Sequence, residues 1–371
     1  EYVSAEGCRQ VAAAFQDLPA LSELTLVSTH SSHFANDRWQ ALGNGLASIA
    51  QLDKLTLRLG EGRSKDVVWY SMTLGKLTKL RCLYLQLRPD QLDQSEAHRL
   101  GSVWPRMACL EELTLGMSRC DNGGRVLGSL GKAPKLRSLT VDMGNVTMDE
   151  EELIEALTGL QSLTSLDLDF TNGVCLGGWA LEEFFSALGE ISGLRHLRLA
   201  VEDWEFDDEE GAGHFAALLV KLPFTSIDFT NAMVTDAAMG KIVSSLPKKS
   251  LESFRLNCRG SEITDYVCQV LLIELWEMEC LSTLHLDFEN TGVSLVGCVA
   301  VGRVATLFNY KSLLVSIAGS RLDMKSGVHA GTVKLYFESC ENSLEGWVNG
   351  MSAEEKERVP LAVRLVETRE G

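Results

Sequence analysis

The sequence lacks long apolar runs, close cysteine pairs and an excess of positive charge. No stretch approaches eighteen consecutive apolar residues, so no membrane span is readable. Lys and Arg total 34 against 51 Asp and Glu, a formal charge of −17. Phosphate backbones and anionic lipid both need a basic field, so neither nucleic acid nor a membrane surface is an expected partner. The ten cysteines never fall in a CxxC spacing, which removes the usual zinc and redox pairs. Such scattered thiols fit small buried residues in a reducing compartment, cytoplasmic rather than secreted. The sequon Asn145-Val146-Thr147 is weak counter-evidence.

Catalytic signatures are also missing. There is no GxSxG and no HExxH. Glycines between Gly124 and Gly131 precede Lys132, but the phosphate-loop spacing fails and Ala133 replaces the hydroxyl residue. His30 and His33 have no acidic partner in register. Trp39, Trp69 and Trp179 recur near helix starts and read as packing. No enzyme activity, cofactor or metal is therefore expected.

What is present is a repeat. Leu-x-x-Leu-x-Leu appears at Leu21-Leu24-Leu26, Leu52-Leu55-Leu57, Leu80-Leu83-Leu85 and Leu110-Leu113-Leu115. Leu136-Leu139-Val141, Leu163-Leu166-Leu168 and Leu194-Leu197-Leu199 follow, then Phe224-Ile227-Phe229, Leu251-Phe254-Leu256 and Leu281-Leu284-Leu286. Weaker copies stand at Val315-Ile317 and Leu335-Phe337, with a last alternation at Val363-Leu365. Starts lie 26 to 31 residues apart through Ser312.

The end of each motif alternates with period two and predicts a short strand with one buried face. Between strands, apolar residues recur at three- and four-residue spacing, as in Leu153, Ile154, Leu157 and Leu160. Thr235-Asp236, Thr264-Asp265 and Asp149 to Glu152 read as helix starts that cap free N–H groups. One strand–helix unit cannot bury its own apolar side, so neighbours must stack. The expected architecture is α/β, a solenoid whose parallel strands form a concave wall with helices on the convex side.

On these motifs the chain resembles leucine-rich repeat proteins, and the repeat length with true helices is most similar to the ribonuclease-inhibitor-like subclass. The resemblance implies a horseshoe over residues 1–340, about 11–12 units. The family's Asn or Cys eight residues after the first Leu is mostly absent, although Asn172, Asn231 and Asn290 stand one place away. Fold alone does not carry function.

The ends differ. The chain begins at Glu1 rather than Met, no signal sequence is readable, and residues 3–15 read as the second half of a repeat. No N-terminal cap is visible, so residues upstream or a neighbouring chain are expected to cover this end. Residues 341–371 lose the repeat phase and read as a C-terminal cap or extension.

Residues between the strand leucines should face the hollow. One column runs Thr25, Thr56, Tyr84, Thr114, Thr140, Asp167, Arg198, Asp228, Arg255, His285, Ser316 and Tyr336. Its alternating charges read either as a lateral ion-pair ladder or as a docking strip. The second column runs Val27, Arg58, Gln86, Gly116, Asp142, Asp169, Ala200, Thr230, Asn257, Asp287, Ala318 and Glu338. Asp142 and Asp169 should be neighbours of like charge, with Asp167 beside them, which a basic partner would relieve. An acidic stretch with interleaved aromatics, including Asp203, Trp204, Phe206, Asp207 and Asp208, is a second candidate for meeting a basic partner.

Two sets of partner-binding residues are thus expected. The concave set is Arg58, Tyr84, Asp142, Asp167, Asp169, Arg198, Asp228, Arg255, His285 and Asp287; the other is the acidic loop. The function expected is a non-catalytic scaffold for a basic or mixed-charge protein, including as a structural subunit of a larger assembly. The resemblance also admits a GTPase regulator, whose branch carries an acidic tail unlike the mixed C-terminus here, or a sensing region of a larger receptor.

Overall fold

The computed structural model describes residues 5–297 apart from 19, 29–35, 50, 60–70, 88–92, 119, 121, 147–148, 174–175, 177, 202–203, 205–208, 231–233, 276 and 295–296. Beyond them it describes 312–316, 333–337 and 366–367. The chain divides into two compact units, Glu1–Val174 with Ser186–Leu194, and Cys175–Phe185 with Arg195–Gly371.

In the first unit each repeat motif forms a strand: β1 (Glu23–Ser28), β2 (Lys54–Leu59), β3 (Cys82–Gln86), β4 (Glu112–Gly116), β5 (Ser138–Asp142) and β6 (Ser165–Asp169). They pair in chain order, all parallel, with leucine opposite leucine: Leu24, Leu55, Leu83, Leu113, Leu139 and Leu166 form one row. Alternate residues are buried and half-exposed, as in β3 and β6, because only one face meets the helices. The first leucine of each motif packs below its strand; Leu80, Leu110 and Leu136 are all buried. Strand entry follows one rule. Two successive N–H groups donate to a single carbonyl of the preceding repeat, as Arg81 and Cys82 do to Asp53, and Glu111 and Glu112 to Arg81.

Helices of the first unit are α1 (Ala5–Ala14), α2 (Asn36–Ser48), α3 (Gln94–Gly101), α4 (Gly123–Leu127) and α5 (Glu150–Thr158). Their starts obey capping chemistry. The Asp93 side chain accepts from the Glu96 N–H while Glu96 reaches back to the Asp93 N–H, a full capping box. Asp149 accepts from the Glu151 N–H at 2.9 Å. The glycines that superficially suggested a phosphate loop are there for packing. A Cβ on Gly131 would sit 2.5 Å from the Gly159 Cα, so two repeats approach backbone to backbone.

In the second unit β7 (His196–Ala200), β8 (Ser226–Thr230), β9 (Ser253–Asn257), β10 (Thr283–Asp287) and β11 (Ser312–Ser316) continue the parallel rule. β12 (Val333–Phe337) and β13 (Val366–Glu367) then pair antiparallel. This departs from the expected run of parallel copies. Period-two alternation specifies a strand but not its direction. The alternation at Val363-Leu365 lies outside the described residues. So does the region 341–371 apart from β13.

Helices α6 (Gly178–Gly189), α7 (Glu209–Lys221), α8 (Asp236–Ser244) and α9 (Asp265–Leu275) follow. Thr235 caps α8 by accepting from the Ala238 N–H. The acidic residue after it has a different task from the capping expected. Asp236 accepts from the Thr264 N–H and hydroxyl at 2.7 and 2.5 Å, and Asp265 does the same with Ser294 at 2.7 and 2.6 Å. Each helix start is thus tied to the next repeat by charge-assisted bonds. An aromatic core fills this unit: Phe184, Phe185, Phe215 and Phe229 lie in successive ring contacts at 5.3, 5.1 and 4.8 Å.

Candidate recognition surface

The face of the strands opposite the leucine rows is built from the two columns. In the first unit the register places Thr25, Thr56, Tyr84, Thr114, Thr140 and Asp167 side by side. The second column runs Val27, Arg58, Gln86, Gly116, Asp142 and Asp169. Asp142 therefore lies directly opposite Asp169, with Asp167 on the same strand as Asp169.

These carboxylates are not loose. Asp142 accepts from the Gly144 N–H at 3.1 Å and from the Ser118 hydroxyl. Asp169 accepts from the Thr171 N–H at 3.1 Å. In the second unit Asn257 accepts from the Arg259 N–H at 3.1 Å and Asp287 from the Glu289 N–H at 3.0 Å. All four are Asx turns at the last residue of a strand, where the side chain replaces a missing backbone partner. Three residues later the chain enters left-handed backbone every time, at Asn145 (φ 57), Asn172 (φ 52), Gly260 (φ 77) and Asn290 (φ 56). Asn and Gly are the residues that tolerate it. The second column is thus partly turn chemistry. The signal was legible as Asx-x-x-Asn/Gly starting at the last residue of each of these four strands.

A second cluster lies on the same face. The Arg58 guanidinium carbon stands 4.9 Å from the centre of the Tyr84 ring, and the Tyr84 hydroxyl donates to Gln86 at 2.9 Å. Gln86 lies over Gly116, where a Cβ would meet its amide nitrogen at 2.5 Å. Gln86 and Gly116 were in the column but were not singled out by sequence.

In the second unit the register aligns Arg198, Asp228, Arg255 and His285. One oxygen of Asp228 serves both arginines, at 3.8 Å from Arg198 and 3.9 Å from Arg255. The arginines are about half exposed, so each pair contributes roughly 0.2–1 kcal/mol. Burial, and then the neighbouring Arg255 charge, hold the His285 imidazole below its ordinary pKa, partly offset by Asp228. The same lateral device occurs at strand entry in the first unit. Arg81 lies 3.7 Å from Asp53 and 2.9 Å from Glu111, and keeps the Glu111 carboxyl below its ordinary range.

Three expectations need correction. Ser316 does not continue the first column: Leu314 faces His285, and Ser316 faces Asp287. The run Leu313-Leu314-Val315 fits either phase, and the strand takes the earlier one. Tyr336 does pair opposite Leu314, from an antiparallel strand. Trp204 is not displayed to a partner. It is 1% exposed and packs edge-on against Phe184 at 5.2 Å, because a large apolar ring gains more from the core than from an acidic loop. Asp203, Phe206, Asp207 and Asp208 lie outside the described residues, as do His30, His33, Trp69, Ala318 and Glu338. Trp179 is 58% exposed rather than packed.

Cys8, Cys120, Cys258 and Cys268 are buried, Cys82 and Cys109 half-buried and Cys280 exposed, all as thiols. Burial pushes Cys268 up to about 12 and Cys82 up to about 11. Among the described residues no group of three or more His, Cys, Asp or Glu is placed to hold a metal. None of their helices is long and apolar enough to cross a membrane.

Within each unit, strands in register on rows of leucines, alternating with helices, define an α/β leucine-rich repeat solenoid. No protein-family model matches the chain. Among solved structures it is similar to TLR13 in its complex with ssRNA13, at 17% identity and a TM-score of 0.41. That match covers 86% of this chain, which spans about half of the TLR13 chain (52%). It is also similar to the yeast Rad7 and Elc1 complex, at 17% identity and TM-score 0.38, covering 78% and 77% of the two chains. A third is the mouse RP105/MD-1 complex, at 17% identity and TM-score 0.38, covering 76% and 48%.

Proposed function

We propose that this chain is a non-catalytic protein-interaction scaffold that binds a basic or mixed-charge protein through the open face of its strands. The observation that carries it is the oriented like-charge pair Asp142–Asp169 with Asp167 beside it. Turn hydrogen bonds aim the Asp142 and Asp169 carboxylates, and three carboxylates so close together favour incoming ammonium or guanidinium groups. Arg58 on Tyr84, and Arg198 and Arg255 around Asp228, supply positive groups that suit the acidic positions of a mixed partner. Placing the fold in the ribonuclease-inhibitor-like subclass belongs to the same proposal; it rests on repeats of 26 to 31 residues with true helices.

The test is fluorescence anisotropy with a labelled Lys-rich peptide, and a Glu-rich peptide as its counterpart. Asp142→Lys with Asp169→Lys is expected to weaken the Lys-rich peptide at least tenfold, about 1.4 kcal/mol. Glu150→Lys with Glu151→Lys changes net charge equally at the start of α5 and should act less. Equal losses in both variants would mean that total charge alone attracts the peptide, and the reading would fail.

A further inference from the structure

Charge is unevenly distributed along this acidic chain. Residues 76–137 hold 11 Lys and Arg against 6 Asp and Glu, a surplus of +5 where the whole chain carries −17. The surplus follows the repeat. Three positions matter, counted from the first leucine of each motif: four residues before it, one before it and one after it. Around Leu80 they hold Lys76, Lys79 and Arg81, and around Leu136 they hold Lys132, Lys135 and Arg137. The repeat between has Arg106, Cys109 and Glu111 around Leu110. In the seven other motifs from Leu21 to Leu281 the same positions contain a single basic residue, Arg195.

These positions share one edge of the first unit, where helices connect to strands. The Glu111 N–H donates to the Arg81 carbonyl and the Arg137 N–H to the Glu111 carbonyl, both at 2.8 Å, so the three residues lie side by side. A Cβ on Gly75 would stand 3.5 Å from an Arg106 guanidinium nitrogen, which puts that guanidinium against the turn bearing Lys76. All seven basic residues are exposed. Arg81 meets the carboxylates of Asp53 and Glu111. Lys76 instead donates to the Asn44 amide oxygen at 3.1 Å, and Lys135 to the Cys109 sulfur at 4.0 Å. Cations favour the last turn of a helix, which accounts for Arg106 and Lys132 at the ends of the short turns Trp104–Arg106 and Leu130–Lys132. It does not account for Lys79, Lys135 and Arg137, which lie beyond such turns at the strand entry. Exposed Pro105, Ala108 and Pro134 stand among the cations.

We propose that this basic edge is a second docking surface, which takes an acidic segment of a partner protein with apolar residues between its carboxylates. Charge complementarity selects the carboxylates, since ammonium and guanidinium groups bind them by charge-assisted hydrogen bonds. Neighbouring strands lie about 4.8 Å apart, so equivalent cations two repeats apart, such as Lys79 and Lys135, stand roughly 10 Å apart. Residues seven apart on a helix are separated by about 10.5 Å, so carboxylates two turns apart reach both lysines. The exposed proline and alanine side chains then meet the apolar residues between them. Nucleic acid suits the edge less well. Its charge is unbroken, whereas Glu111 and Glu112 interrupt these cations and the chain as a whole repels a long polyanion. A peptide can set an uncharged residue over the two glutamates. The edge is separate from the Asp142–Asp169 pair: Arg137 precedes β5 and Asp142 ends it, about 16 Å along the strand. The inference does not rest on the binding role of the open face, and its failure leaves that role untouched.

The experiment is fluorescence anisotropy with a labelled peptide of about 15 residues rich in Glu and Leu, titrated with chain up to about 200 µM, a range that captures weak binding. The comparison probe is a labelled single-stranded DNA of equal charge. The peptide is expected to saturate and to bind more tightly than the DNA. Lys79→Glu with Lys135→Glu should weaken the peptide at least tenfold. Arg9→Glu with Lys221→Glu changes net charge equally, away from this edge, and should act less. Should the first variant unfold, Arg106→Gln with Lys132→Gln, also on exposed turns, is expected to weaken the peptide in the same direction. Asp142→Lys with Asp169→Lys, which disables the open-face site for the Lys-rich peptide, should leave the Glu- and Leu-rich peptide bound. A peptide that does not bind the wild-type chain overturns the proposal. So does DNA that binds more tightly than the peptide, an equal loss in the two charge-matched variants, or a loss seen with Arg198→Gln and Arg255→Gln but with neither edge variant.

Discussion

Asp169 carries two roles that one pair of substitutions separates. Its carboxylate closes an Asx turn onto the Thr171 N–H at 3.1 Å and stands opposite Asp142 across neighbouring strands. Asp169→Asn keeps the accepting oxygen and removes the charge. Two unit charges about 5.5 Å apart in water repel by about 0.7 kcal/mol, less after screening by salt. Asp169→Asn should therefore be neutral or stabilising by a few tenths of a kcal/mol. Asp169→Ala gains the same relief but loses the turn bond, worth about 0.5–1.5 kcal/mol. The two variants should differ by about 1 kcal/mol, with Asn the more stable.

Urea unfolding followed by circular dichroism reads that difference as a shift in midpoint at constant slope. The same variants go into the peptide assay. Asp169→Asn should lose affinity for the Lys-rich peptide while folding as well as the parent. Equal midpoints for Asn and Ala would refute the turn as a stabilising element. An Asn variant that is less stable than Ala would show that the charge itself holds the strand end.

Three further outcomes are expected. The His285 proton resonance should titrate below 6.5; Arg255→Gln should move the midpoint up and Asp228→Asn should move it down. Because the unfolded chain binds that proton more readily, stability should fall as pH drops through the unfolded value near 6.5 and level off below the folded one; His285→Gln should remove this component of the pH profile. Trp204→Ala should cost about 3–5 kcal/mol in urea unfolding, the value for a lost core aromatic rather than a surface loop residue. Asn172→Gly should be tolerated, whereas Asn172→Val should cost about 1–3 kcal/mol at φ 52.

The spine was legible because apolar periodicity reports burial directly. Every leucine triplet from Leu52 to Leu286 is in the core, with each strand in the register its motif implied. Periodicity is silent on direction, which is why β12 could reverse unnoticed, and on phase within Leu313-Leu314-Val315. Turns obey another chemistry. Asp142, Asp169 and Asp287 looked like free acidic groups because a strand alternation assigns each side chain only a face. The bond that each makes runs two residues along its own chain. Trp204 misled for a related reason: acidic neighbours describe the loop, not the ring between them.

The first column separates what the fold requires from what it permits. Thr25, Thr56, Thr114 and Thr140 occupy the position that Asp167, Arg198, Asp228, Arg255 and His285 occupy elsewhere. A β-branched hydroxyl residue suits a half-buried strand face, so threonine satisfies the sheet without any charge. Replacing it with half-exposed ion pairs yields only tenths of a kcal/mol each, too little to make charge a requirement of folding. In β7 to β10 the column also places a histidine against an arginine, which lowers the histidine's pKa and so disfavours its charged form. Stability alone gives no preference for that arrangement over four threonines. In the scaffold role proposed above, contact with a partner would supply that preference, because a fixed pattern of charge excludes wrong surfaces by several kcal/mol even where it adds little affinity for the right one.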